Sequence, residues 1–109
     1  SRFVADFVGS SNVLSPSFAS QHGGPAKWTS LRPEKVGVHA PGTAAPAQNA
    51  HADGEVKMIS YQGSMTRFSV EIENARITAE VPAGGPDFEQ GDKVRLIWPR
   101  AAMVTMEEG

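Results

Sequence analysis

Ser64, Thr66 and Arg67 follow a glycine at position 63. Two hydroxyls and a guanidinium beside a turn suit an oxyanion, since each donates hydrogen bonds and the guanidinium adds charge. The competing reading is plain strand polarity on a solvent face. His22, His39 and His51 fall in irregular stretches, with no i,i+4 histidine pair and no cysteine partner. They read as surface histidines rather than zinc ligands. A phosphate cradle needs a G-x-x-x-x-G-K-S/T loop, whose amides and lysine meet the anion. Gly23-Gly24-Pro25 and Gly84-Gly85-Pro86 lack the lysine, and proline brings no amide N–H. No G-x-S-x-G elbow places a nucleophilic serine. The chain therefore reads as non-catalytic, with no cofactor or metal of its own.

The elements that would position these residues are mostly strands. Thr66, Phe68, Val70 and Ile72 alternate with Arg67, Ser69, Glu71 and Glu73, the period of a half-buried strand. Ile77, Ala79 and Val81 alternate in the same way, and so do Val94, Leu96 and Trp98. Residues 55–61 read as a strand whose register blurs at Met58-Ile59, which predicts a bulge there. Turns are expected at Gln62-Gly63-Ser64 and Glu73-Asn74, and a Gly/Pro-rich loop over 82–91. Residues 27–31 and 36–38 read as short strands around a single helical turn at Pro33-Glu34-Lys35, where proline suits the first position. Residues 99–102 read as a turn of helix and 103–106 as a closing strand. Trp28 and Trp98 sit in apolar strand patterns and read as core. Residues 15–26 read as irregular, and residues 39–53, rich in Ala and Pro, as a flexible linker. Phe3/Phe7 and Val4/Val8 form i,i+4 apolar pairs, so residues 1–9 predict a short amphipathic helix that needs a surface to cover it. Many short antiparallel strands separated by turn residues predict a mainly β chain, a small barrel or sandwich.

Composition narrows the possibilities. A chain of 109 residues suits one domain. Ten basic and twelve acidic residues leave a net charge of -2, which argues against nucleic acid as a partner. Without cysteine there is neither disulfide nor thiolate metal site. No apolar run approaches the roughly 20 residues that span a bilayer, and no signal peptide is visible.

Four motifs taken in order carry a family resemblance, the Gly54 and Tyr61 segments forming one of them. They are Phe3-Val4-Ala5-Asp6-Phe7-Val8-Gly9 followed by Asn12-Val13-Leu14, then Arg32-Pro33-Glu34, then Gly54-Glu55-Val56, then Tyr61-Gln62-Gly63-Ser64 with Thr66-Arg67, and last Gly91-Asp92-Lys93-Val94 running to Trp98-Pro99. Together they resemble the C-terminal TOBE (transport-associated OB) domain of ATP-binding subunits of ABC importers, of the spermidine/putrescine or iron(III) type. The resemblance implies a small OB-like antiparallel β-barrel over 12–109, with residues 1–11 as a junction helix leaving a missing ATPase domain. It implies an accessory, regulatory domain that stabilises the ATPase dimer and modulates transport at the cytoplasmic face of the inner membrane. Its partners would be its own ATPase domain, a second copy of the subunit and, indirectly, the membrane permease, with ATP and Mg held by the absent domain. Phe3, Val4, Phe7, Val8, Arg32 and Glu34 are the interface candidates, although Arg32 and Glu34 equally suit a solvated corner around Pro33. The alternative role is a sensor of an oxyanion or solute through Ser64, Thr66 and Arg67, as related molybdate-binding proteins use this fold for oxyanions. One departure stands out: only residues 15–31 lie between the Asn-Val-Leu and Arg-Pro-Glu segments, where many relatives have several strands. The first half of the barrel is therefore expected to be abbreviated, or completed by another chain.

Overall fold

The structure is a computed structural model, and it describes residues 11–106. The expected junction helix, with Phe3, Val4, Phe7 and Val8, lies outside the described residues. Among the described residues eight strands form two sheets: β1 (Asn12–Leu14), β2 (Thr29–Leu31), β3 (Gly37–His39), β4 (Asn49–Gln62), β5 (Met65–Ile72), β6 (Ala75–Pro82), β7 (Lys93–Pro99) and β8 (Val104–Thr105). The larger sheet has the order β3-β7-β4-β5-β6 and the smaller the order β1-β2-β8, with every pairing antiparallel. The larger sheet curls so that β6 returns to pack on β3 and on the 3-10 turn Pro33–Lys35, giving a half-barrel. The expected β architecture is present, with the first half reduced to three short strands and one helix.

Alternation accounts for the main walls. Thr66, Phe68, Val70 and Ile72 of β5 are buried, as are Ile77, Ala79 and Val81 of β6 and Val94, Leu96 and Trp98 of β7. Two-residue loops join β4 to β5 and β5 to β6. The first places Gly63 at φ +64°, a conformation glycine enters without strain. The second places Glu73 at φ +51°, where a side chain clashes with its own backbone. Gly54 answers a different need. A Cβ there would sit 2.4 Å from the Glu71 carbonyl oxygen and 2.7 Å from Ile72 Cγ1, so only glycine lets β4 pass this close to β5.

Several expectations are corrected. Residues 15–26 are not irregular throughout: Pro16–Gln21 form helix α1. Ser15 caps it by accepting the Phe18 N–H, and proline occupies its first turn. Its end is a Schellman motif, with Gly23 at φ +84°, Gly24 N–H donating to Ala19 O at 2.8 Å and Gly23 N–H to Ser20 O at 3.4 Å. The linker expected over 39–53 is shorter, because strand pairing begins at Asn49 and Ala50 and Ala52 are buried. The bulge lies one residue earlier than expected, at Lys57, between the pairs Val56↔Val70 and Met58↔Ser69. Trp98 is fully buried, whereas Trp28 is half-buried. His39 and His51 are exposed as expected, but His22 is half-buried, stacked on Phe18 at 4.2 Å between ring centroids.

One side chain joins the two sheets. Asn12 Nδ2 donates to Leu31 O at 3.1 Å and to Thr78 O at 2.9 Å, and Asn12 Oδ1 accepts the Thr78 N–H at 2.8 Å. The carboxamide presents the same donor and acceptor as a peptide unit, so it pairs with the outer edge of β6 as a neighbouring strand would.

Candidate functional site

The charged residues of β4, β5 and β7 that point away from the core gather on one outer face. Pairing sets Asp53 opposite Arg95 and Glu55 opposite Lys93. The Arg95 guanidinium binds Asp53 in a two-pronged pair, Nε to Oδ1 at 2.7 Å and Nη2 to Oδ2 at 3.1 Å. Glu55 also faces Glu71 across the β4–β5 ladder, a repulsive juxtaposition of like charges. Lys57 relieves it: its Nζ lies 3.3 Å from Glu55 Oε2 and 3.4 Å from Glu71 Oε1. Lys93 Nζ reaches the other Glu55 oxygen at 3.1 Å.

Asp53, Gly54, Glu55, Glu71, Glu73 and Lys93 line an open cleft of about 440 Å³, with Pro41 also lining it. Four carboxylates against one ammonium make its lining acidic. Hydrogen bonds from Lys93 and then Lys57 hold the Glu55 carboxyl below its ordinary range. The Arg95 hydrogen bond does the same for Asp53, against a smaller opposing effect of burial. Glu55, in turn, raises Lys57. Asp53, Glu55 and Lys57 are thus charged at neutral pH. The cleft has no nucleophile–base pair, and its chemistry is electrostatic: Arg95, Lys57 and Lys93 are paired with three of its four carboxylates. Among the described residues no cluster of three or more histidine, aspartate or glutamate side chains is arranged to hold a metal ion.

The residues singled out from sequence lie elsewhere. Ser64 is exposed in the β4–β5 loop, where its backbone oxygen accepts the Ala83 N–H at 2.8 Å. Thr66 is buried on the core face of β5, and Arg67, its chain neighbour, points to the opposite face. Arg67 Nε lies 3.1 Å from Glu80 Oε2, its cross-strand partner, as an ion pair whose angle falls short of a hydrogen bond. The three side chains are not brought into one cradle. Arg32 and Glu34 flank the buried Pro33 and form a loose, exposed pair at 3.7 Å. The cleft itself was not anticipated. Glu55 and Lys57, two apart on a strand, were the available signal that both share a face.

Comparison with known proteins places the chain. The family model described as "TOBE domain" matches residues 29–106. The uncharacterised ABC transporter ATP-binding protein YdcT of Escherichia coli is 32% identical over 115 residues, which cover 97% of this chain and 32% of that protein. The spermidine/putrescine import ATP-binding protein PotA of Pseudomonas aeruginosa is 31% identical over 126 residues, covering 90% of this chain and 34% of that one. The chain thus spans about a third of the length of these relatives. In structure it is similar to the cytoplasmic molybdate-binding protein ModG in its molybdate-bound form, with a TM-score of 0.63 over 71% of this chain and 58% of that one. At 13% identity the likeness is one of fold. Among the described residues no helix is long and apolar enough to cross a membrane. By its match over most of its length, the chain belongs to the TOBE-domain family.

Proposed function

We propose that this chain is the accessory domain of the ATP-binding subunit of a bacterial ABC importer, of the polyamine or iron(III) type. In this reading it acts at the cytoplasmic face of the membrane, holding two ATPase subunits together while their nucleotide-binding parts open and close. The carrying observation is that nearly the whole chain aligns with ATP-binding subunits, yet occupies only a third of each. The exposed Arg32–Glu34 corner is available for contact with a twin. Size-exclusion chromatography with light scattering on the 109-residue chain tests the pairing. A dimer at tens of micromolar supports it, and a strict monomer at millimolar concentration counts against it.

A second reading, solute sensing, draws on the acidic cleft of β4, β5 and β7. Its lining suits a cationic solute such as a polyamine, whereas Ser64, Thr66 and Arg67 offer an oxyanion no shared site. Calorimetric titration with spermidine, putrescine, molybdate and phosphate separates the two chemistries. Absence of heat with every one of them, together with an unchanged melting temperature, removes the sensing role.

A further inference from the structure

β3 and β4 lie on either side of β7 and run parallel to each other, so residues 40–48 must cross over β7 to join them. The crossing is diagonal. β3 ends with His39 level with Arg95, and β4 begins with Asn49 level with Pro99. Arg95 Nη1 donates to the Thr43 carbonyl oxygen at 3.0 Å, which fixes the crossing on the face of β7 that carries Arg95 and Ile97. Ile97 points away from Leu96 and Trp98 and stands outside the core cluster, yet it is only 7% exposed. The crossing segment runs over this same face.

The same guanidinium that binds this strap is committed through its other nitrogens to Asp53, on the wall of the acidic cleft. Pro41, at the start of the strap, also lines the cleft. The far end is anchored separately, by the Arg100 N–H on Gln48 O at 3.1 Å, and the near end by the turn in which Thr43 N–H donates to Ala40 O. The Asn49 N–H also donates to Pro46 O at 2.9 Å, so it is residues 43–45 that rest on a cation whose orientation is set by one exposed carboxylate, 61% accessible at its side chain.

We propose that the Arg95–Asp53 pair is a charge-operated pin for the 40–48 strap. Drawing Asp53 away from Arg95, by screening or by a competing cation in the cleft, frees the guanidinium from Thr43 and lets the strap lift from Ile97. An event in the cleft is thereby converted into exposure of the apolar Ile97 side chain between β3 and β4. This rests on the geometry of the domain alone and is independent of the transporter reading.

Amide hydrogen exchange on the 109-residue chain tests the pin. In Asp53→Asn, exchange of the hydrogen-bonded Thr43 and Asn49 amides is expected to quicken roughly two- to five-fold, the range of an exposed pair. Arg95→Met is expected to do at least as much. β5 and β6 serve as the internal reference and should stay unchanged in Asp53→Asn. Raising NaCl to about 1 M, where the Debye length is about 3 Å, should quicken strap exchange in the parent chain and leave Asp53→Asn nearly unaffected. Unchanged strap exchange in both variants overturns the proposal. So does equal quickening of β5–β6, which would mean general destabilisation, or an undiminished salt response in Asp53→Asn.

Discussion

Replacing Asn12 tests whether one carboxamide does the work of a missing strand. Asn12→Ala removes three hydrogen bonds at once and leaves Thr78 N–H, Thr78 O and Leu31 O without their partner. A buried polar group left unsatisfied costs about 1–3 kcal/mol. Thr78 is only half-buried, so water recovers part of the loss at β6, while the Leu31 bond is buried. The sum is about 2–4 kcal/mol. For a domain of this size that lowers the melting temperature by roughly 10–20 °C. Urea unfolding should show the same loss as a shift in midpoint at constant slope. Asn12→Asp adds a finer test. A carboxylate still accepts the Thr78 N–H but turns negative oxygen toward two carbonyls. Protonation restores one donor, so the penalty in Asn12→Asp should shrink between pH 7 and pH 4. A melting temperature for Asn12→Ala within about 2 °C of the parent would refute the strand-mimic account. So would an Asn12→Asp deficit that does not narrow with acid.

Three further outcomes are expected. Gly54→Ala drives a methyl into the Glu71 carbonyl and the side chains of Val70 and Ile72, so calorimetry should show a loss of about 1–3 kcal/mol. Glu73→Gly relieves the left-handed backbone at φ +51° and should raise stability by about 1 kcal/mol in urea titration. Asp53 and Glu55 both have lowered folded-state pKa values, so their contribution is present above the ordinary carboxylate range and is lost as pH falls from that range through the lowered folded-state values. Thermal melts below pH 4 should therefore separate the parent from Asp53→Asn less than melts at pH 7.

Much of the half-barrel could be read directly from residue order, because β5 and β6 bury every second side chain and two-residue loops set their registers, while β7 sends Val94, Leu96 and Trp98 into the core. The same alternation already assigns Thr66 and Arg67 to opposite faces, so a shared anion cradle conflicted with the strand that carried it. Helix α1 also had its signals, a Ser15-Pro16 start and a Gly23-Gly24 stop, but six residues are too few for a periodic pattern to register. The start of β4 left almost no trace. Ala50 and Ala52 are small because they pair with Trp98 and Leu96, large side chains that fill the space opposite. That reason lies over forty positions away in the chain. The cleft was hidden for the same cause: Asp53–Arg95 and Glu55–Lys93 become neighbours only when β7 docks on β4.

The order of the larger sheet also governs how the chain reaches its final form. β4, β5 and β6 form a meander of adjacent segments joined by two-residue loops, while β7 must find β3 and β4 across intervals of dozens of residues. Closing long loops is entropically costly and retards assembly. The meander is thus expected to form first, and docking of β7 with the crossing of 40–48 to follow. Val70→Ala should slow refolding in stopped-flow traces, whereas Val38→Ala should chiefly hasten unfolding.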